Sequence, residues 1–413
     1  MKINKLTLPN GLRVVHVQDL STQMVAIDVV YDVGARDEHP AHTGFAHLFE
    51  HLMFGGSTHI PDYDTPLQLA GGESNAWTNS DMTNYFLTIP ACNVETGFWL
   101  ESDRMLQLDF SERSLEVQRG VVMEEFKQRC LNQPYGDMWH LIRNLAYQVH
   151  PYRWPTLGKD LSHIADATLD LVEDFFFRHY APNNAVLAVT GCIAWEEVER
   201  LAQKWFASIP HRDVPERRLP REPEQRETRR LTVERSVPLD ALHMAYHVCG
   251  RDDSDYYAVD ILSDILGNGR SNRLIQRLVQ ERKVFSSIDA FISGSRDPGL
   301  LHINGKPAPG ITLEQAEVAV RYELDDLMDH PVGEQELEKV RNKFESTQIF
   351  GNLSYLNVAT NLAIFELLGA AEDIDREVSR YRSVTAQHLQ AVARETFRED
   401  NGSVIYYRAS QKQ

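Results

Sequence analysis

The alternation of apolar and polar positions in one short stretch near the N-terminus predicts a helix that is buried over most of its circumference. On a helical projection, His47, Glu50 and His51 share one arc of about 100°. Apolar side chains fill the rest of the surface, namely Phe45, Ala46, Leu48, Phe49, Leu52 and Met53. Thr43 is the predicted N-cap of this helix, and Gly55-Gly56 is its predicted stop.

The same patterns predict an alternation of strands and helices through the rest of the first half. Strands are predicted on both sides of an Asn10-Gly11 turn and over Met24–Val33, Glu73–Asp81, Thr83–Ile89 and Ala185–Gly191. Helices are predicted over Pro61–Gly71, Val94–Leu108, Glu112–Cys130, Asp166–Tyr180 and Glu196–Phe206.

The helix over Glu112–Cys130 has a core stripe made of Leu115, Val122 and Phe126. Glu125 lies at the edge of this stripe, whereas Glu124 projects away from it. If this helix packs against the helix with the two histidines, we expect Glu125 to reach inward and Glu124 to face solvent. The alternative is that both glutamates belong to a solvated face.

A duplication is indicated because the second half repeats the first in outline. Leu115–Arg119 has a counterpart in Leu337–Arg341, and the opening helix matches Tyr256–Leu266. The matching helix contains Asp260, Ser263 and Asp264 but no histidine. We therefore expect the second copy to keep the fold and to lack a metal site.

The domain boundaries follow from a stretch between the two halves that has many Pro, Arg and Glu residues and no apolar period. We predict an N-terminal domain over residues 1–209, a charged linker over 210–230 and a homologous C-terminal domain over 231–413.

The polar arc of the opening helix has the residue types of a zinc site. His47 and His51, one helical turn apart, can bind one metal ion, and Glu50 can take a proton from water at the metal. This spacing is the inverted form, HxxEH, of a zinc-peptidase motif. The alternative is a solvated polar strip on an amphipathic helix. Three further histidines have no partner at ligand spacing and are not expected to bind metal, namely His39, His42 and His59.

Composition narrows the choice of partners. The formal net charge is −18, which argues against nucleic acid or an anionic membrane as the main partner. The apolar fraction of 42% and the charged fraction of 25% are ordinary for a globular protein. Four widely spaced cysteines form no zinc or disulfide pattern, namely Cys92, Cys130, Cys192 and Cys249. With no apolar run of signal-peptide or membrane-span length, we expect a cytoplasmic protein.

The chain resembles the pitrilysin (insulinase) family of zinc metallopeptidases, which includes insulin-degrading enzyme and the mitochondrial processing peptidases. The resemblance covers nearly the whole chain. Besides the HxxEH motif, it is carried by four segments, namely Leu8–Leu12, Gly34–Asp37, Gly72–Thr78 and Arg119–Glu125.

The resemblance implies one zinc ion bound by His47, His51 and Glu125, with Glu50 as the base that activates water. It also implies an edge strand at Asn75-Ala76-Trp77, on which an extended peptide docks through backbone hydrogen bonds. The implied fold is α+β, with two homologous domains that each consist of an antiparallel-rich sheet with helices on one face. Short relatives pair two such chains into a clamshell.

Two departures from the family pattern concern the surroundings of the site. Many relatives have a glutamate two turns before the third ligand, where this chain has Gln118. Relatives also have an Arg and a Tyr that hold substrate, and the matching positions here are Val279 and Ser286. These departures predict a heterodimer in which a homologous partner supplies the Arg and the Tyr, with a homodimer as the alternative.

The predicted function is therefore that of a zinc-dependent metalloendopeptidase that hydrolyses small or unfolded peptides, as the metal-bearing subunit of a dimer. Two other readings stay open. The first is a non-catalytic scaffold or assembly subunit of the same fold. The second, a zinc hydrolase with non-peptide substrates, accounts less well for the strand at Asn75-Ala76-Trp77.

Overall fold

The computed structural model describes residues 1–410, which form two compact units, each built around one β-sheet. Unit 1 consists of Met1–Gln128, Trp154–Leu219 and Gln348–Arg376, and unit 2 consists of Arg129–Arg153, Pro220–Thr347 and the chain from Glu377 onward. The sequential domains predicted from the sequence are therefore not the compact units. Residues 129–153 of the first half lie in unit 2, and residues 348–376 of the second half lie in unit 1.

The predicted α+β class is confirmed, because both sheets are accompanied by many helices. The strands are β1 (Asn4–Thr7), β2 (Arg13–Gln18), β3 (Met24–Tyr31), β4 (Glu73–Thr78), β5 (Thr83–Pro90), β6 (Ala185–Gly191), β7 (Arg229–Arg235), β8 (Ala241–His247), β9 (Phe285–Ile292), β10 (Leu300–Pro307) and β11 (Gly402–Ala409).

The helices that were predicted differ from the observed ones by a few residues at their ends, whereas several others, among them α5, α10 and α12, were not predicted. They are α1 (Phe45–Leu52), α2 (Asp64–Leu69), α3 (Val94–Leu106), α4 (Glu112–Phe126), α5 (Met138–Ala146), α6 (Leu161–Ala165), α7 (Leu169–His179), α8 (Trp195–Phe206), α9 (Tyr256–Gly267), α10 (Leu313–Asp329), α11 (Glu334–Gly351), α12 (Tyr355–Leu368), α13 (Glu377–Ser383) and α14 (Ala386–Thr396). A π-helix over Lys127–Leu131 continues α4, so the predicted helix to Cys130 is present but changes its winding.

The two sheets share one topology. In unit 1 the strand order is β1-β2-β6-β3-β5-β4, and in unit 2 it is β7-β11-β8-β10-β9. One pair in each sheet is parallel, β2 with β6 and β7 with β11, while the other pairs are antiparallel. Apart from β1, each strand of unit 1 has an equivalent in unit 2. The antiparallel-rich, two-domain prediction is thus confirmed, and β4 and β9 are equivalent edge strands.

Strand alternation divides the sheet of unit 1 between two cores. Val25, Ile27 and Val29 of β3 face a large core that includes side chains of α1, α3, α7 and α8. Ala26 and Val30 of the same strand face the opposite side of the sheet. Because side chains of a strand alternate between faces, a strand buried on both sides is apolar at nearly every position, as β3 is except at Asp28.

A helix from the other half of the chain covers the second face of each sheet. In unit 1 this helix is α12, whose Leu362 and Ala363 pack with Ala26 and Val30. In unit 2 it is α5, which packs on β8 and β11 through a separate cluster of buried side chains. The predicted arrangement, with helices on one face only, therefore needs correction. The sequence pattern did not reveal it, because α5 and α12 are far in sequence from the strands that they cover.

The predicted linker runs without helix or strand as far as residue 228, and two of its side chains attach it to the units. Within unit 1, the Nε of Arg217 donates to Asp37 at 2.6 Å and its Nη2 donates to the Asp32 carbonyl at 2.8 Å. Within unit 2, the carboxylate of Glu222 accepts the backbone N–H groups of Val149 and His150 at 2.9 Å. Within residues 1–410, no helix combines the length and the apolar character that crossing a bilayer requires.

Candidate metal centre

The N-terminus of α1 is held by a glutamate from the preceding loop and not by Thr43. Gly44 is the N-cap, with φ of +91°, a conformation that favours glycine. Glu38 Oε2 accepts the Gly44 N–H and its Oε1 accepts the Ala46 N–H, both at 2.9 Å. The prediction for Thr43 was wrong, because its hydroxyl is engaged with His163 Nδ1 at 2.8 Å. Glu38 is buried, and this burial raises its pKa to about 8.

The end of α1 lies close to α4 because Gly55 has no side chain. A Cβ at this position would lie 2.9 Å from Ser114 Oγ and 3.6 Å from Gln118 Nε2, both on α4. The helix itself ends at Leu52, before the predicted Gly55-Gly56 stop. Gly55 thus allows a close approach between the helix with the two histidines and the helix with Glu125.

The structure brings His47, His51 and Glu125 together in unit 1. Glu125 Oε2 lies 3.5 Å from His47 Nε2 and 3.3 Å from His51 Nε2. One ligand atom from each residue lies within 4.8 Å of the others. Two imidazoles and one carboxylate are the donor set of a catalytic zinc site, which leaves further positions for water or substrate. The residues present therefore fit a zinc ion.

The two neighbouring glutamates of α4 differ as the helical projection predicted. The Glu125 side chain is 20% exposed and points toward the histidines, whereas that of Glu124 is 57% exposed. Glu124 pairs with Lys127 at 3.3 Å on the outer surface of the helix. The choice between the two carboxylates follows from their positions relative to the core stripe of Leu115, Val122 and Phe126, all of which are buried.

Glu50 lies on the same helix, and a threonine of β4 contacts its carboxylate. Thr78 Oγ1 donates a hydrogen bond of 2.6 Å to Glu50 Oε2. Thr78 is the last residue of the strand, directly after the predicted docking segment. Thr78 was not among the site residues predicted from the sequence. The available signal was alternation, since Ala76 and Thr78 must lie on the same face of β4.

The predicted docking segment lies on an edge strand, since β4 pairs with β5 alone. Its three side chains do not share a face. Ala76 packs on the core to which α1 belongs, whereas Trp77 packs on the second-face core with α12. Asn75 is exposed, and its Oδ1 accepts the Ala76 N–H at 2.8 Å. What Asn75, Ala76 and Trp77 have in common is therefore the backbone edge of the strand.

Glu101 and Arg104 form a buried ion pair in the core of unit 1, close to the end of α1. The Arg104 guanidinium is 4.6 Å from the ring centroids of Tyr63 and Tyr85, and its Nε donates to Glu101 Oε2 at 2.9 Å. Tyr63 also donates its hydroxyl hydrogen to Glu101 Oε1 at 2.6 Å. Phe54, which follows α1, completes the group of rings around the guanidinium. This ion pair therefore lies among the aromatic side chains that support the end of α1.

The remaining residues of interest lie outside this cluster. His59 pairs with Asp103 at 2.6 Å, and His39 and His42 contact one another through their rings. In unit 2, Val279 lies in a π-helix over Leu274–Glu281, and Ser286 is an exposed residue of edge strand β9.

The corresponding helix of unit 2 has an ion pair instead of metal ligands. Asp264 of α9 pairs with Lys343 at 2.9 Å, and the Tyr381 hydroxyl donates to Asp260 at 2.6 Å. Across the described part of the chain, the group formed by His47, His51 and Glu125 is the one cluster of three such side chains with metal-binding spacing. In unit 2, the Lys343 ammonium group thus provides a positive charge beside the Asp264 carboxylate of α9.

Comparison with known proteins identifies the family. The sequence profile described as Insulinase (Peptidase family M16) matches residues 13–158, and the profile described as Peptidase M16 inactive domain matches residues 166–344. Zinc protease PqqE of Helicobacter pylori is 28% identical over 413 residues, which cover 98% of this chain and 92% of that protein.

Two further relatives extend the comparison. A probable mitochondrial-processing peptidase subunit beta of Arabidopsis thaliana is 25% identical over 420 residues, with 97% of this chain and 76% of that protein covered. The crystal structure of a protease from Helicobacter pylori superposes with a TM-score of 0.92 at 28% identity, covering 98% of this chain and 99% of that one. Since the two M16 profiles together match most of residues 13–344 and the alignment with zinc protease PqqE covers 98% of the chain, the chain belongs to the insulinase family of peptidases, peptidase family M16, in its short form.

Proposed function

We propose that this protein is a zinc-dependent endopeptidase that hydrolyses small or unfolded peptides. The observation that carries the proposal is the approach of Glu125 to His47 and His51 at 3.5 and 3.3 Å, with Glu50 on the same helix. The relatives named as zinc proteases support the same reaction class.

Each residue has one role in the proposed reaction. His47, His51 and Glu125 would hold the zinc ion. The chemistry supplied by bound zinc is Lewis acidity, which lowers the pKa of water and polarises a carbonyl group. Glu50 is the general base, whose carboxylate takes the proton from the attacking water and later gives it to the leaving amine.

The substrate class is inferred from the edge strand. The open edge of β4 lies beside α1, and an extended chain can add to such an edge through backbone hydrogen bonds. A folded substrate does not offer a free extended backbone, whereas a short or unfolded peptide does. We therefore assign Asn75, Ala76 and Trp77 to substrate binding through their backbone groups.

We also propose that the working enzyme is a dimer. The Arabidopsis thaliana relative is named as a subunit, which supports an assembly of more than one chain. Val279 and Ser286 cannot make the charged and aromatic contacts that an Arg and a Tyr would make. A homologous partner chain with those residues would complete the substrate contacts.

The decisive experiment combines metal analysis with hydrolysis of a quenched-fluorescent peptide library. We expect about one zinc ion per chain, hydrolysis that a chelator stops and zinc restores, and no turnover in Glu50→Gln despite retained zinc. The matched control is Glu124→Gln, a change on the exposed face of α4.

Zinc binding without hydrolysis of any peptide, alone or with a homologous partner chain, would overturn the proposal. That result would favour a scaffold subunit of the same fold.

A further inference from the structure

Thr78 connects the edge strand to the proposed general base. Its Oγ1 donates a hydrogen bond of 2.6 Å to Glu50 Oε2, and its backbone pairs with Thr83 of β5. A hydrogen bond to an ionised carboxylate is stronger than one between neutral groups. A single side chain therefore contacts both the helix of the metal site and the strand proposed to receive substrate.

Strand alternation fixes the direction of the Thr78 side chain. Ala76 faces the core that contains α1, and Trp77 packs on the opposite face, so Thr78 must point to the α1 side again. Threonine is also restricted in χ1 by its branched Cβ. The position of the hydroxyl is therefore determined by the sheet and does not depend on a flexible side chain.

We propose that Thr78 is a positioning residue that holds the Glu50 carboxylate in its productive orientation. This inference rests on the proposed function and goes beyond it, because it names a residue that acts through the base. Without the hydroxyl, the Glu50 carboxylate would lose this contact and spend less time in the orientation that accepts the proton.

The inference also places the base close to the docking edge. Thr78 is the last residue of β4, the strand to whose open edge an extended peptide would add. The same sheet would thus position both the substrate and the hydroxyl that holds Glu50.

The test compares three threonine variants of the zinc-loaded chain. Thr78→Val keeps the size and the branched Cβ but removes the hydroxyl, Thr78→Ser keeps the hydroxyl, and Thr88→Val makes the same change on the other face of β5. We expect Thr78→Val to lower kcat on the order of 10- to 100-fold, with KM and zinc content unchanged. Thr78→Ser should recover most of the rate, and Thr88→Val should match the wild type.

A crystal structure of zinc-loaded Thr78→Val provides a readout that is independent of turnover. The comparison is a crystal structure of the zinc-loaded wild type obtained in the same way. We expect the Glu50 carboxylate of the variant to leave the position that it has in the wild type, or to occupy several positions. If Thr78→Val disturbs folding, Thr78→Ala measured in the same way replaces it.

Three results would overturn the inference, namely a wild-type kcat in Thr78→Val, an equal loss in Thr78→Ser, or an unmoved Glu50 carboxylate. If the wild-type chain hydrolyses no peptide, alone or with a homologous partner chain, the proposed function fails, and the crystal structure alone decides the role of Thr78.

Discussion

Thr360 Oγ1 donates a hydrogen bond of 2.6 Å to Asp28 Oδ2, although the two residues are 332 positions apart in the chain. Asp28 lies in the central part of the unit 1 sheet, and Thr360 lies on α12, which covers the second face of that sheet. Asn84 of β5 donates to the same carboxylate at 3.2 Å. This polar contact helps to anchor α12 on a face of the sheet that is largely apolar.

Burial raises the pKa of Asp28 to about 7, from 3.8 in an unfolded chain. Between these values the folded protein keeps the proton on this group and the unfolded chain does not, so the contribution of Asp28 to stability falls as pH rises from about 4 to 7. Asp28→Asn removes this pH-dependent contribution to stability. We expect its free energy of unfolding, relative to wild type, to increase between pH 5 and pH 8 in urea titrations. Parallel curves for the two proteins at all pH values would contradict this expectation.

The third ligand can be tested with two adjacent glutamates. Glu125→Gln replaces a charged ligand by a neutral amide, and we expect zinc affinity to fall on the order of 100-fold or more. Glu124→Gln makes the same chemical change on the exposed face and should leave affinity within about twofold, because it removes only a surface ion pair. Competition with a fluorescent chelator measures the zinc affinity of both variants. Equal losses in the two variants would remove Glu125 from the ligand set.

The loop glutamate that caps α1 should be important for stability. Glu38→Ala leaves the N–H groups of Gly44 and Ala46 without their acceptor in a buried environment, which costs about 1–3 kcal/mol for each group. We expect Glu38→Gln to lose less, because its amide oxygen can still accept. Urea unfolding measures the change, with exposed Glu116→Ala as the control. A wild-type midpoint for Glu38→Ala would show that other groups hold this helix end.

The buried ion pair behind α1 should also matter far more than a surface pair. Glu101→Leu leaves the Arg104 guanidinium charged and buried, and we expect a loss of about 3–5 kcal/mol in the free energy of unfolding. Glu95→Ala, which breaks the exposed pair with Lys204, should cost less than about 1 kcal/mol. If both variants unfold at the same urea concentration, the buried pair contributes no more to stability than the surface pair does.

The sequence predicted the parts of the fold that depend on local pattern. The presence of a helix with a polar arc at α1 follows from apolar spacing, although its ends were predicted wrongly, and the inward position of Glu125 follows from the helical projection of α4. Both depend on residues within a few turns of one another. The HxxEH spacing then connected this helix to one class of chemistry.

The parts that the sequence did not predict depend on contacts between distant segments. Glu38 replaces Thr43 as the cap because a loop folds back over the helix end, and no local signal marks such a glutamate. The placement of α5 and α12 was missed for a similar reason. A helix pattern shows which face is apolar but not which sheet that face will cover.

The discontinuous composition of unit 1 also has a consequence during protein synthesis. His47, His51 and Glu125 are synthesised well before residues 348–376 of the same unit. Until α12 emerges from the ribosome, the sheet beside the metal ligands has one uncovered apolar face. If the protein is a peptidase, we expect nascent chains to be inactive until α12 has been synthesised.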